Sequence, residues 1–247
     1  MKHVILLVGI LAWVAATHIV FAQQEGTIDY EVKVNVHRTL PAERAEMKEM
    51  IPEFNAHKNK LLFNTSESLF VNVDEEEEEE DEFGGEGGGQ MQVKMRRPMN
   101  EFYYNYSTGK RVAMMEFLGK YFLIQDSVKV TPWKLADETK SILGHTCKKA
   151  TYYNSDRKQN VTAWYAAGLP PFLGPETFNN LPGTILEIEL NNGERSISAK
   201  KISLEKLKEG ALMPPAKGQK STEAAFRKIV EEQRARNGRN GNVIIRH

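Results

Sequence analysis

Ile28, Tyr30, Val32, Val34 and Val36 are apolar at every second position, with Asp29, Glu31, Lys33 and Asn35 between them. A period of two sends one set of side chains into a core and the other into water, so this stretch is a half-buried strand. Leu186, Ile188 and Leu190 alternate with Glu187 and Glu189 in the same way. Further runs of strand length stand at 61–63, 68–73, 102–106, 112–117, 121–124, 147–153, 160–166, 185–190 and 195–202. Thr108-Gly109, Leu118-Gly119 and Asn191-Asn192-Gly193 separate neighbouring runs at hairpin spacing. The pattern predicts a mainly β (α+β) fold of about nine to eleven strands. Its form is a curved, mostly antiparallel sheet or open half-barrel, with one short helix and a C-terminal helix.

The short helix is expected where Met47, Met50, Ile51 and Phe54 recur at helical spacing, before Pro52 breaks the pattern. The C-terminal one follows a breaker-rich joint at Pro214-Pro215. Ser221 or Thr222 can cap it, and Phe226, Ile229 and Val230 form a narrow apolar stripe. Beyond them Arg234, Arg236 and Arg239 make a basic end that reads as a solvated tail. The nine acidic residues 74–82 and the glycines up to 89 repel one another and offer little to bury, so 74–90 reads as a disordered loop. A flexible polyanion supplies no preformed cage for a cation.

Three regions result. Lys2 and His3 precede an apolar stretch, and Val20-Phe21-Ala22 fits a cleavage site, so 1–22 reads as a signal peptide and the protein as exported, to the periplasm or cell surface. The alternative is an uncleaved anchor over 4–21. Residues 23–212 form the β-rich domain, and 213–247 the joint, helix and tail. The mature chain has no further span. Lys and Arg number 33 against 33 Asp and Glu, so no overall field favours nucleic acid.

Catalytic patterns are scarce. The histidines after the leader, His37, His57, His145 and His247, are never paired at metal-binding spacing, and no Gly-x-Ser-x-Gly elbow or phosphate-cradling loop occurs. A single Cys147 permits neither an intramolecular bridge nor a cysteine metal cluster, and reads as a small buried hydrophobe. No cofactor is expected. Pro182-Gly183 suits the centre of a type II turn, with glycine at positive φ, and Gly174-Pro175 marks another forced turn. Trp164 and Tyr165, as strand neighbours, face opposite sides. With Phe172, Phe178 and Trp133 they are candidates for an aromatic wall facing a ligand or partner.

Trp133, Ile142-Leu143-Gly144, Cys147-Lys148-Lys149-Ala150, Ala163-Trp164-Tyr165, Leu169-Pro170, Gly174-Pro175, Phe178 and Leu181-Pro182-Gly183-Thr184-Ile185-Leu186 occur in an order and spacing that resembles the GLPGLI family of exported Bacteroidetes proteins. Asn180 stands where that signature has its first glycine, and Thr184 where it has a leucine. The resemblance implies an uncharacterised exported protein and supplies no reaction. The expectation is a non-enzymatic envelope accessory or binding module for a partner such as an outer-membrane receptor. The alternatives are a carrier of a lipid or other apolar ligand in a half-barrel cavity, and a hydrolase-type enzyme with an unrecognised site.

Overall fold

The computed structural model describes residues 25–40, 42–73 and 98–239. The expected leader at 1–22, the acidic loop at 74–90 and the end of the basic tail lie outside the described residues. The chain opens with β1 (Gly26–Asn35), α1 (Val36–Thr39) and a 3-10 helix (Ala42–Glu49), then β2 (Phe54–Phe63) and β3 (Glu67–Asn72). Three hairpin-linked strands follow: β4 (Glu101–Asn105), β5 (Lys110–Phe117) and β6 (Lys120–Ser127). A second run comprises β7 (Lys134–Ile142), β8 (His145–Asn154), β9 (Gln159–Ala166), β10 (Thr184–Leu190) and β11 (Arg195–Ser203). β12 (Gln219–Ser221) and α2 (Glu223–Arg239) complete the fold.

The strands make one 12-stranded sheet in the order β12-β6-β5-β4-β3-β2-β1-β11-β10-β9-β8-β7. The edges β12 and β7 do not pair with each other, so the sheet is open. All pairings are antiparallel except β12 on β6, where Gln219 lies beside Phe122. The alternating strand read at 28–36 is β1, which sits between β2 and β11 and ends one residue early because Asn35 caps α1, its Oδ1 accepting from the Arg38 N–H at 3.0 Å. Neither edge strand is evident from hydropathy. β7 is largely exposed and carries Lys134, Asp137, Glu138 and Lys140, the charged character that protects a sheet edge. In place of the amphipathic helix expected around 47–54 stands the 3-10 helix, whose residues are mostly exposed.

Residues directly opposite across strands share a face. The inner face is apolar: Ile28, Tyr30 and Val32 of β1, Phe70 of β3, Phe102 of β4 and Ile197 of β11 all belong to the buried core. The β9–β10 connection, residues 167–183, folds beneath the sheet and adds Leu169, Leu173, Phe178 and Leu181 to that core. Phe226 of α2 packs on Phe122, ring centroids 5.2 Å apart. The sheet is bent, since α2 reaches both of its halves. Glu223 pairs with Arg111 of β5 at 3.1 Å, while Arg227 pairs with Asp156 of the β8–β9 turn at 2.6 Å.

Glycine at 183 has a different cause from the one its sequence suggests. Its φ is not positive, so no left-handed turn demands it. Space does: a Cβ at Gly183 would lie 2.3 Å from the Ala166 carbonyl oxygen, and one at Gly174 2.0 Å from that of Phe178. Positive φ falls instead on Phe172, Glu176 and Asn180 within the same connection.

The outer face divides in two. After β11 a strap of residues 204–218 leads to β12 at the far edge, and its end lies on the outer face at β4 to β6. Lys217 Nζ stands 3.7 Å from the centroid of the Tyr121 ring at the end of this strap. On β3 to β6 the outward residues Leu69, Tyr103, Met114 and Leu123 are all buried. Beyond β1, on β11 to β7, none of the described residues crosses the outer face, whose outward side chains are half-buried. No helix among the described residues is long and apolar enough to cross a membrane.

Candidate functional site

The uncrossed half of the outer face is built by register. Trp164 of β9 lies opposite Lys149 of β8 and Glu187 of β10, and Glu187 lies opposite Ser198 of β11. The next row holds Thr151, Thr162, Glu189 and Ser196. These side chains are half-buried, as a flat uncovered sheet surface requires. From the edge strand β7, Lys140 reaches across to Glu187 at 2.6 Å and places its Nζ 4.5 Å from the centroid of the Trp164 ring. Lys149 pairs with Glu138 at 2.9 Å, and Lys200 with Glu31 at 2.9 Å. The Lys200 hydrogen bond, against a smaller burial effect, holds the Glu31 carboxyl below the usual carboxylate range.

The inner face holds the more deeply buried polar groups. Glu176 and Arg195 form a two-pronged ion pair, one prong at 2.9 Å, with both side chains less than a fifth exposed. Burial alone would push the Glu176 carboxyl up, but Arg195, with Arg157 and His57 farther off, holds it below the ordinary range. The Tyr104 hydroxyl donates to the Glu176 carbonyl at 3.0 Å, and burial pushes that hydroxyl up to about 12. Tyr106 stacks on Tyr104, centroids 5.9 Å apart, with its hydroxyl 3.1 Å from Ser68 Oγ. These contacts tie the 167–183 connection to the sheet. An ionised carboxylate gripped by arginine is a poor proton donor, and a phenol with a raised pKa is a poor base, so the network holds structure together rather than presenting acid–base chemistry. Among the described residues, no group of three His, Cys, Asp and Glu side chains is placed to hold a metal ion.

The residues singled out as an aromatic wall do not form one. Tyr165 is buried in the inner core, while Trp164 faces out from the opposite side of β9. Phe178 is buried, and Phe172 in the same connection is 46% exposed. Trp133 is half-buried, donating from its indole N–H to the Asn179 carbonyl at 2.8 Å and meeting Tyr152 edge-on. Tyr165 and Phe178 share the buried core and Trp133 packs against it, while Phe172 and the outward Trp164 stand apart from that group. Cys147 is buried beside Lys140, its Sγ 3.6 Å from the His145 carbonyl rather than the imidazole, and burial raises its thiol. Of the turn motif, Leu181 is in the core and its carbonyl accepts from Phe172 N–H at 2.9 Å, while Gly174, Pro175, Pro182 and Gly183 shape the connection around it. Lys140 and Glu187 were not singled out by sequence; Glu187 carried the signal of an outward position in an alternating strand, and Lys140 carried none.

A family model described as the N-glycanase peptide, N-terminal domain, matches residues 89–226, more than half of the chain. Two solved structures of PNGF-II, in the P21 and C2 space groups, match with TM-scores of 0.56 and 0.55 at 15% identity. Each covers 85% of this chain, against 34% and 33% of the PNGF-II chain respectively. At that identity the likeness is one of fold. The chain therefore spans about a third of the length of the structures it matches. No protein of curated function matches.

These matches overturn the resemblance to the GLPGLI family. The residues that carried it are explained by geometry: Gly174 and Gly183 fit close backbone approaches, and the alternating runs fit any bent sheet. The expectation of a non-enzymatic accessory, binding a partner protein or carrying an apolar ligand, is overturned with it, because the matched family is that of an enzyme. The chain spans about a third of the length of its structural relatives, so the scarcity of catalytic motifs within it does not weigh against the enzyme family.

Proposed function

Because this chain belongs to the family of the N-glycanase peptide, N-terminal domain, we propose that it acts in the release of N-linked glycans, as the N-terminal domain of an N-glycanase. The observation that carries the reading is the match over residues 89–226, which runs from ahead of β4 to the first turns of α2. The likeness of the whole sheet to PNGF-II supports it. Its partner is the remainder of such an enzyme, and its substrate class is the N-glycosylated peptide. The leader-like residues 1–22 support action outside the cytoplasm, where such substrates are displayed. The role of the domain is to hold and orient substrate for the cleavage step, the kind of positioning that contributes strongly to rate.

The test is release of glycan from an N-glycosylated peptide, read by mass spectrometry as loss of the glycan mass. Extract of the source organism is assayed with the chain present, with the chain depleted by antibody, and with purified chain added back. Release that falls on depletion and returns on add-back is expected. Release indifferent to the chain overturns the reading.

A further inference from the structure

The open half of the outer face combines features that select for one kind of ligand. It carries an aromatic ring, Trp164, in the middle of a polar surface. The charges nearest that ring are matched within the face, Lys140 with Glu187 and Lys149 with Glu138, so the surface around Trp164 offers little net field to an anion or a cation. Hydroxyls of Thr151, Thr162, Ser196 and Ser198 stand between the charges. A neutral molecule with one apolar face and a rim of hydroxyl groups is complementary to such a surface: its C–H face covers the indole, and its hydroxyls meet the paired carboxylates, ammonium groups and threonines. That is the chemistry of a sugar ring.

We propose that Trp164 is the platform of a glycan-binding site on the outer face of β7 to β10, with Glu187 and Lys149 as hydrogen-bonding neighbours. Lys140 is the roof of the platform. Its ammonium occupies the ring face through a cation–π contact that an incoming sugar displaces, while its bond to Glu187 keeps it at the rim. This rests on the N-glycanase reading for the source of the sugar, an N-linked glycan, whereas the shape and charge of the surface are independent of that reading.

The experiment titrates the full chain with a free neutral high-mannose N-glycan and follows the indole N–H signals by NMR, with that of Trp164 identified from Trp164→Phe. The Trp164 signal is expected to shift. Trp164→Ala is expected to bind about tenfold more weakly, the loss of one stacked aromatic contact. Lys140→Met, which leaves the platform in place and removes its roof, is expected to bind severalfold more tightly. Phe172→Ala, exposed outside this face, is expected to bind as the parent does. An unmoved Trp164 signal, or equal affinity in Trp164→Ala and parent, overturns the proposal. If glycan release still depends on the chain in either of those cases, the N-glycanase reading stands and only the location is wrong. If release is independent of the chain while Trp164 still shifts, the surface binds sugar and the N-glycanase reading falls.

Discussion

The two halves of the outer face are made by the same sheet and have opposite characters. Over β3 to β6 the outward residues Leu69, Tyr103, Met114 and Leu123 are buried, and the strap at 204–218 ends on that half and delivers β12 to the edge. Over β7 to β10 the outward residues are Lys140, Lys149, Thr162, Trp164 and Glu187, and nothing among the described residues crosses them. One half is stabilised by removing apolar area from water, the other by cross-strand pairs that keep their solvent. A sheet with two such halves has a structural side and a side free for recognition.

The largest expected effect tests whether the half over β3 to β6 is a true second core. Met114→Ala is expected to destabilise by about 2–4 kcal/mol in urea unfolding, and Thr162→Ala on the open half to change stability by less than about 0.5 kcal/mol. Comparable losses at both sites would erase the distinction. The strap itself comes next. Gly218 has φ +122°, and a Cβ there would stand 2.9 Å from the Tyr121 backbone. Gly218→Val is therefore expected to cost about 1–3 kcal/mol and to open residues 204–218 to protease before the sheet unfolds. Cleavage at the parent's rate would mean that the strap is not held through this point.

Two carboxylates sharpen the contrast by pH. Burial raises the Glu101 carboxyl under the end of the strap, with Lys217 only partly opposing it, whereas hydrogen bonding from Lys200 of β11 lowers that of Glu31 on β1. A raised carboxyl opposes folding while it is charged, so Glu101→Gln is expected to be more stable than the parent at pH 7. That advantage shrinks as the pH falls through the folded-state pKa, which lies above the ordinary range. Glu31 has the opposite sign: its contribution is present above the unfolded pKa and disappears as the pH falls through the lower folded one. Side-chain carboxyl titration by NMR, with Glu101 midpoint above that of Glu31, checks both; the reverse order would contradict them. The smallest effect is a double-mutant cycle at Lys149 and Glu138, 2.9 Å apart with the glutamate side chain 63% exposed. A coupling of about 0.2–0.5 kcal/mol is expected, fading with added salt. A coupling above about 1 kcal/mol would contradict an open half whose ion pairs keep their solvent.

Alternation made most of the sheet legible in sequence, because residues such as Ile28, Tyr30 and Val32 have one environment to enter. β7 and β12 were not legible, since an edge strand is selected for charge and brevity rather than for a buried face. Of the strap, residues 204–212 read as part of the β-rich domain and only the stretch from 213 as a breaker-rich joint, and nothing in its composition says that it ends on a sheet face. Trp164 was legible as a residue opposed in direction to Tyr165, but which of the two entered the core depended on register with β8 and β10, a long-range property. Lys140 became visible only when β7 was placed beside β8. The N-glycanase relationship was not legible at all from local pattern, because the side chains that define catalysis need not lie in the domain that resembles the enzyme.

β1 has a consequence for the order in which the molecule can be made. Thr27 pairs with Leu62 on one side and with Ser203 on the other. β1 thus waits for β11, about 170 residues later, before its second row of backbone groups finds a partner, and contacts so distant along the chain form slowly. Until residue 203 has emerged, that bare hydrogen-bonding row is open to strands of neighbouring molecules. Any process that truncates or stalls the polypeptide before β11 is therefore expected to yield aggregate rather than a smaller folded domain.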